Sequence, residues 1–173
     1  MGNFTDYLPY VVAFIIAIPF LVLLRQFVNL YVSMKERELR ALGVKAGNDM
    51  RFQAFERMTL FLDRSKPANL INRFDKNLAP HEFLFLTEKN IAEEYEYNAS
   101  QQIFISKVNW TNIVTAKDQL IKLLHSTYEG MGEHANLEEF KAVFLLNYIN
   151  EGDFISDTIE ELKKELLILN FNS

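Results

Sequence analysis

The sequence predicts an all-α protein, with a single N-terminal transmembrane helix followed by a small cytoplasmic helical bundle. Three observations predict it. Residues 8–24, LPYVVAFIIAIPFLVLL, hold no charged side chain and only one hydrogen-bonding side chain, the phenol of Tyr10. After residue 50, apolar side chains recur three and four positions apart in segment after segment, the period of an α-helix. The one short β-branched piece, Ile103-Phe104-Ile105, finds no partner strand.

The apolar run, at about 1.5 Å per residue, makes a helix of roughly 25 Å, near the lower limit for crossing a bilayer core. A buried helix of a soluble protein shows a polar face within that length, and this run shows none. Pro19 in its middle removes one backbone hydrogen bond and predicts a kink, which a lipid-embedded helix tolerates. Tyr7 and Tyr10 at one end and Tyr31 beyond the other suit the two interfaces. Past Arg25 and Gln26 the pattern stays apolar through FVNLYVSM, so a tilted span reaches Met34 if Arg25 snorkels. Ala13 and Ala17 give a small-residue step of the kind used between membrane helices, though such steps are common.

Flanking charge predicts the orientation. Asp6 is the only charged side chain before the span, whereas Arg25, Lys35, Arg37, Arg40, Lys45, Arg51 and Arg57 follow it. The positive-inside rule puts the short N-terminus outside and the remainder in the cytoplasm. A basic start and a small-residue cleavage site are both missing, and Asp6 stands where N-myristoylation needs Ser or Thr. The run therefore reads as an uncleaved anchor. The expected organisation is an anchor over residues 1–34, a juxtamembrane helix and linker over 35–49, and a cytoplasmic helical domain over 50–173.

About 140 residues remain beyond the anchor, enough for one modest core. Cysteine is absent, which excludes disulfides and thiolate metal sites and fits a reducing compartment. The formal net charge is −5, unevenly spread: residues 25–57 lean basic, while residues 129–173 carry ten acids against Lys141, Lys163 and Lys164. A basic collar beside a bilayer favours anionic headgroups. No basic stripe with interleaved aromatics points to nucleic acid.

In chain order, KERELRAL extends the anchor helix to about residue 42, and Gly43, Gly47 and Asn48 are expected to break it. In RFQAFERMTLFLDR, Phe52, Phe55, Thr59 and Leu62 recur at helical spacing, with Met58 and Phe61 widening the face. Pro67 suits the first position of a short helix ending near Phe74, and residues 75–80 read as a loop. A helix from Pro80 to about Gln102 carries Phe83, Leu86, Ile91 and Tyr95, with Phe85 and Tyr97 on flanking faces. Ile103–Ile105 is a short extended connector. Ser106 or Asn109 caps a helix over about 110–128 with the seam Trp110, Ile113, Leu120 and Leu124, which Gly130 and Gly132 end. Asn136 with Glu139 forms a capping-box pattern ahead of Phe140, Val143, Phe144 and Tyr148. After the turn Glu151-Gly152-Asp153, the last helix carries Ile155, Ile159, Leu162, Leu166 and Leu169, a two-heptad seam. Two heptads favour docking into the domain, with pairing to a second copy as the other use. Fifteen Phe and seven Tyr fill a core first and can also anchor a partner.

FQAFERMTLFLDRSKPANLI followed by EEYEYNASQQIFIS resembles an uncharacterised family of single-span Bacteroidota membrane proteins, a domain of unknown function, over most of the chain. The resemblance implies an inner-membrane protein of a Gram-negative bacterium with a helical domain. It implies no catalytic residue, ligand or partner.

Reactive side chains are sparse. His81, His125 and His134 match no ligand spacing, and His125 with Glu129 one turn on supplies at most two donors where zinc needs three or four. Glu93, Glu94 and Glu96, with Glu88 nearby, form an acidic helix face that becomes acid–base machinery only inside a cleft. No phosphate loop or nucleophile elbow is present. No catalytic, cofactor or metal residue is therefore assigned. Arg57 and Arg64, seven apart, share a helix face where a partner carboxylate or a lipid phosphate could use both. With Phe61 and the 155–169 seam they are the candidate interaction residues. The expected function is a membrane-anchored scaffold or accessory subunit at the cytoplasmic face of a bacterial inner membrane. Its expected partners are the lipid bilayer and a membrane or cytoplasmic protein, a second copy of the chain among the candidates. The alternative is an enzyme acting near lipid headgroups through a Glu93–Glu96 or His125–Glu129 cluster.

Overall fold

The computed structural model describes residues 8–75, 77–131 and 136–171, with side chains at 10, from 14 onward within the first helix, and up to 168 at the other end. The chain divides into two compact units, residues 1–48 and 49–173. Every extended element among the described residues is a helix.

Helix α1, Leu8–Arg64, starts in the first unit and supplies the first helix of the second. In the first unit its described apolar side chains are exposed: Phe14, Ile15, Ile16, Leu23 and Phe27 are all at least half exposed. By length and composition this stretch is able to cross a membrane. Pro19 lies inside the helix and forgoes the bond its N–H would make to the Ile15 carbonyl. The break expected at Gly43, Gly47 and Asn48 does not occur, and α1 runs through all three. Each glycine costs a helix only about 1 kcal/mol relative to alanine, and neither proline nor a competing cap is present to turn that cost into an end.

In the second unit, α1 ends at Arg64, where the Ser65 hydroxyl donates to the Phe61 carbonyl at 2.8 Å. Pro67 opens α2, Pro67–Leu70, as its first residue, and turns rather than helix carry the chain on to Phe74. Helix α3, Pro80–Asn98, is entered with the Ala79 N–H donating to Glu82 Oε2 at 2.9 Å. It then tightens into a 3₁₀ segment, Ala99–Phe104. The expected extended connector thus shrinks to Ile105, which alone has extended backbone and is buried.

Ser106, not Asn109, caps α4, Lys107–Glu129, its hydroxyl accepting from the Asn109 N–H at 3.2 Å. Gly130 closes this helix, and Gly132 lies outside the described residues. Asn136 caps α5, Leu137–Glu151, by accepting from the Glu139 N–H at 2.9 Å. Gly152, with φ +88°, makes the sharp turn into α6, Phe154–Phe171.

The core of this unit joins all its helices. Phe55, Met58, Phe61 and Leu62 of α1 meet Phe83 and Ile91 of α3, Ile113, Leu120 and Leu124 of α4, and Phe140 and Phe144 of α5. Ile155, Ile159 and Leu162 of α6 complete it. Much of the aromatic surplus is spent here: Phe83 meets Phe74 at 6.0 Å and Phe140 at 5.8 Å, both edge to face. Phe52, expected on the buried face of α1, is instead 56% exposed.

Candidate functional site

A groove of about 620 Å³ opens on the second unit. Its walls come from the last two turns of α1 (Arg57, Leu60, Arg64), the polar stripe of α3 (Asn90, Glu93, Glu94, Tyr97, Asn98), and Arg73 from the turn between α2 and α3. The local sequence explains the placement. The α1 residues that point inward are Met58, Phe61 and Leu62, and Arg57 and Arg64, one turn either side of Phe61, stand exposed at the edge of that face. On α3, the burial of Thr87 and Ile91 directs Asn90, Glu93 and Tyr97 to its rim.

Glu94 is the electrostatic centre of the groove. Its carboxylate, 18% exposed, receives Arg64 Nη1 at 3.1 Å on Oε1 and Arg73 Nη1 at 3.5 Å on Oε2. Arg73 also donates to Asn90 Oδ1. Glu93 is paired within its own helix, to Lys89 at 3.8 Å. Arg57 makes no ion pair and no side-chain hydrogen bond among the described residues.

The structure thus brings Arg57 and Arg64 to one groove and adds Glu93 and Glu94 from the acidic face of α3. Arg73, Asn90, Tyr97 and Asn98 were not legible as its lining. The stripe Asn90–Glu94–Tyr97, at four and three residues, carries a polar face that helical spacing could have indicated. Arg73, in a turn, carried no such signal.

The remaining candidates lie elsewhere. Phe61 is buried against Tyr95, with ring centroids 6.0 Å apart. Ile155, Ile159 and Leu162 are buried as well, so a partner reaches these four only if the packing opens. Leu166 is half-buried and borders a smaller apolar groove of about 240 Å³ with Phe52, Phe55, Thr59 and Leu162. The side chain of Leu169 lies outside the described residues. His125 faces Glu88 of α3, 3.1 Å from Nε2 to Oε2, rather than Glu129, and neither His125 nor Glu88 lines the arginine groove. His134 is outside the described residues, and among those described no group of three metal-ligating side chains converges. In the first unit, Tyr10 and Tyr31 are exposed, 71% and 57%, as is Arg25, while Tyr7 lies outside the described residues.

Comparison with known proteins gives a family and nothing finer. A model described as a family of unknown function, DUF7935, matches residues 3–169. No curated protein and no solved structure matches the chain.

Proposed function

We propose that this protein, which belongs to the DUF7935 family, is a membrane-anchored scaffold or accessory subunit. In this reading residues 8–34 span the inner membrane of a bacterium once, with the N-terminus outside. The helical bundle of the second unit stays at the cytoplasmic face and docks a partner protein or a larger membrane complex.

The observation that carries the reading is the apolar stretch of α1, which buries none of its most hydrophobic window against protein. In water, the sixteen large apolar side chains exposed from Tyr10 to Met34 would each forgo on the order of 1.5–3 kcal/mol of burial, whereas lipid covers them. The basic residues beyond the span favour the cytoplasmic side. Docking is supported by what the second unit leaves uncovered: Phe52, Phe85, Tyr97, Leu167 and Ile168 are each more than half exposed. An enzymatic reading draws less support, because Glu93 and Glu94 are held by a lysine and two arginines, and His125 pairs with Glu88, outside the groove.

Affinity purification of the full chain from membranes in a mild detergent tests the docking role. A reproducible, stoichiometric companion or a defined homo-oligomer is expected. A chain that elutes alone and monomeric contradicts it.

A further inference from the structure

We infer that the groove between α1 and α3 is a phosphate-binding site, in which Arg57 and the unoccupied edge of Arg64 hold the anion and Glu94 acts as a positioning residue. The groove carries this whether or not the span lies in lipid.

The charge balance is the first support. The chain as a whole bears a formal −5, yet three arginines, Arg57, Arg64 and Arg73, line the groove against two carboxylates, Glu93 and Glu94. Cations lining a concave surface with low-dielectric walls concentrate positive potential more than the same charges spread over a convex one.

Occupancy of the donors is the second. A guanidinium has five N–H donors in a rigid fork. Glu94 engages Nη1 of Arg64 and of Arg73, and Asn90 takes a further bond from Arg73. Arg64 is 57% exposed and keeps its other N–H groups for a ligand. Arg57 keeps all of its own among the described residues. By clamping Arg64, Glu94 lowers the ordering cost that a long flexible side chain would otherwise add to binding.

The match of ligand to site is the third. Two cations with free forks suit a dianion better than a single carboxylate. A phosphate monoester offers close to two negative charges and three acceptor oxygens. Tyr97 lines the same groove and adds a hydroxyl donor, while the buried Asn98 amide donates to the Glu94 carbonyl at 2.8 Å. The phosphate could belong to a lipid headgroup or to a soluble molecule, and the chemistry of recognition is shared.

Calorimetric titration of the full chain in neutral detergent with inorganic phosphate, at ionic strength held constant with chloride, tests the free-anion source. Native mass spectrometry of the same sample with phosphatidic acid, whose headgroup is itself a phosphate monoester, tests the headgroup source. Arg57→Gln is the informative variant, because Arg57 is exposed and has no ion pair to lose among the described residues. Loss of one charged hydrogen-bonding group should weaken binding about tenfold, Arg57→Lys should recover part of it, and Lys122→Gln, outside the groove, should change nothing. Phosphate heat lost in Arg57→Gln supports a soluble ligand. Lipid retention lost in Arg57→Gln without phosphate heat supports a headgroup. Absence of both, an unaltered Arg57→Gln protein, or an equal loss in Lys122→Gln overturns the site.

Discussion

Glu165, near the end of α6, completes the cap of α4 from across the fold: its Oε1 accepts the Ser106 backbone N–H at 2.9 Å and its Oε2 the Ser106 hydroxyl at 2.7 Å. The same carboxylate takes the Asn109 side-chain amide. A helix N-terminus leaves its first N–H groups without intrahelical partners and favours negative charge, and Glu165 answers both needs while fastening α6 to α4. Glu165→Ala is expected to cost about 1–2 kcal/mol, read as a lower midpoint in thermal unfolding of the full chain in detergent. Glu161→Ala, one turn back and exposed, should stay within about 0.5 kcal/mol of wild type.

Thr87 gives an expectation of the opposite sign. It is fully buried in α3, and its hydroxyl has no hydrogen-bond partner among the described residues. An unsatisfied buried hydroxyl costs about 1–3 kcal/mol, so Thr87→Val, close to it in shape, is expected to raise the unfolding midpoint. A fall in the midpoint would show that the hydroxyl has a partner in solution, such as a bound water.

The turn into α6 sets a pH dependence. Burial pushes the Tyr148 hydroxyl above its ordinary 10.0, as do its hydrogen bond to Asp153 and that residue's charge. Burial also works to raise the Asp153 carboxyl, but hydrogen bonds from Tyr148 and from the hydroxyl and N–H of Ser156 outweigh it, with help from the charge of Lys66. The Asp153 carboxyl is held below its ordinary 3.8. The unfolded tyrosine ionises before the folded one, so its contribution is complete below pH 10 and declines above it. The Asp153 contribution is present above about pH 4 and is lost as pH falls through the lowered value. Tyr148→Phe should flatten the stability profile at both extremes. Identical profiles for variant and wild type between pH 2.5 and 10.5 would rule out the coupling.

Two neighbouring phenylalanines show what helical spacing makes legible. Phe83, on the seam with Ile91, is buried, whereas Phe85, on a flanking face, is 61% exposed. Phe83→Ala is expected to cost about 3–5 kcal/mol and Phe85→Ala under about 0.5 kcal/mol, by chemical unfolding. Helical spacing identified the seams of α4, α5 and α6, because Leu120 and Leu124, Phe140 and Phe144, and Ile155, Ile159 and Leu162 repeat every three or four positions and each turn adds to the signal. The caps at Ser106 and Asn136 and the turn at Gly152 were legible for the same local reason.

Other features depend on contacts far apart in sequence. Glycine content near residues 43–48 suggested a break that the helix bridges, since a modest propensity cost alone does not end a helix. Half of the arginine groove was legible, in Arg57 and Arg64 on one face. The convergence of Arg73 and Glu94 was not, because it arises from the return of α3 against α1, and no local pattern encodes that distance.

The cysteine-free sequence allows the topology to be read directly, by placing a single thiol at the C-terminus as Ser173→Cys and probing it with a membrane-impermeant maleimide. The account predicts that the protein stays with the membrane pellet after alkaline carbonate extraction and that the thiol reacts only once the inner membrane is permeabilised. Release into the supernatant, or labelling of intact spheroplasts from outside, would contradict it.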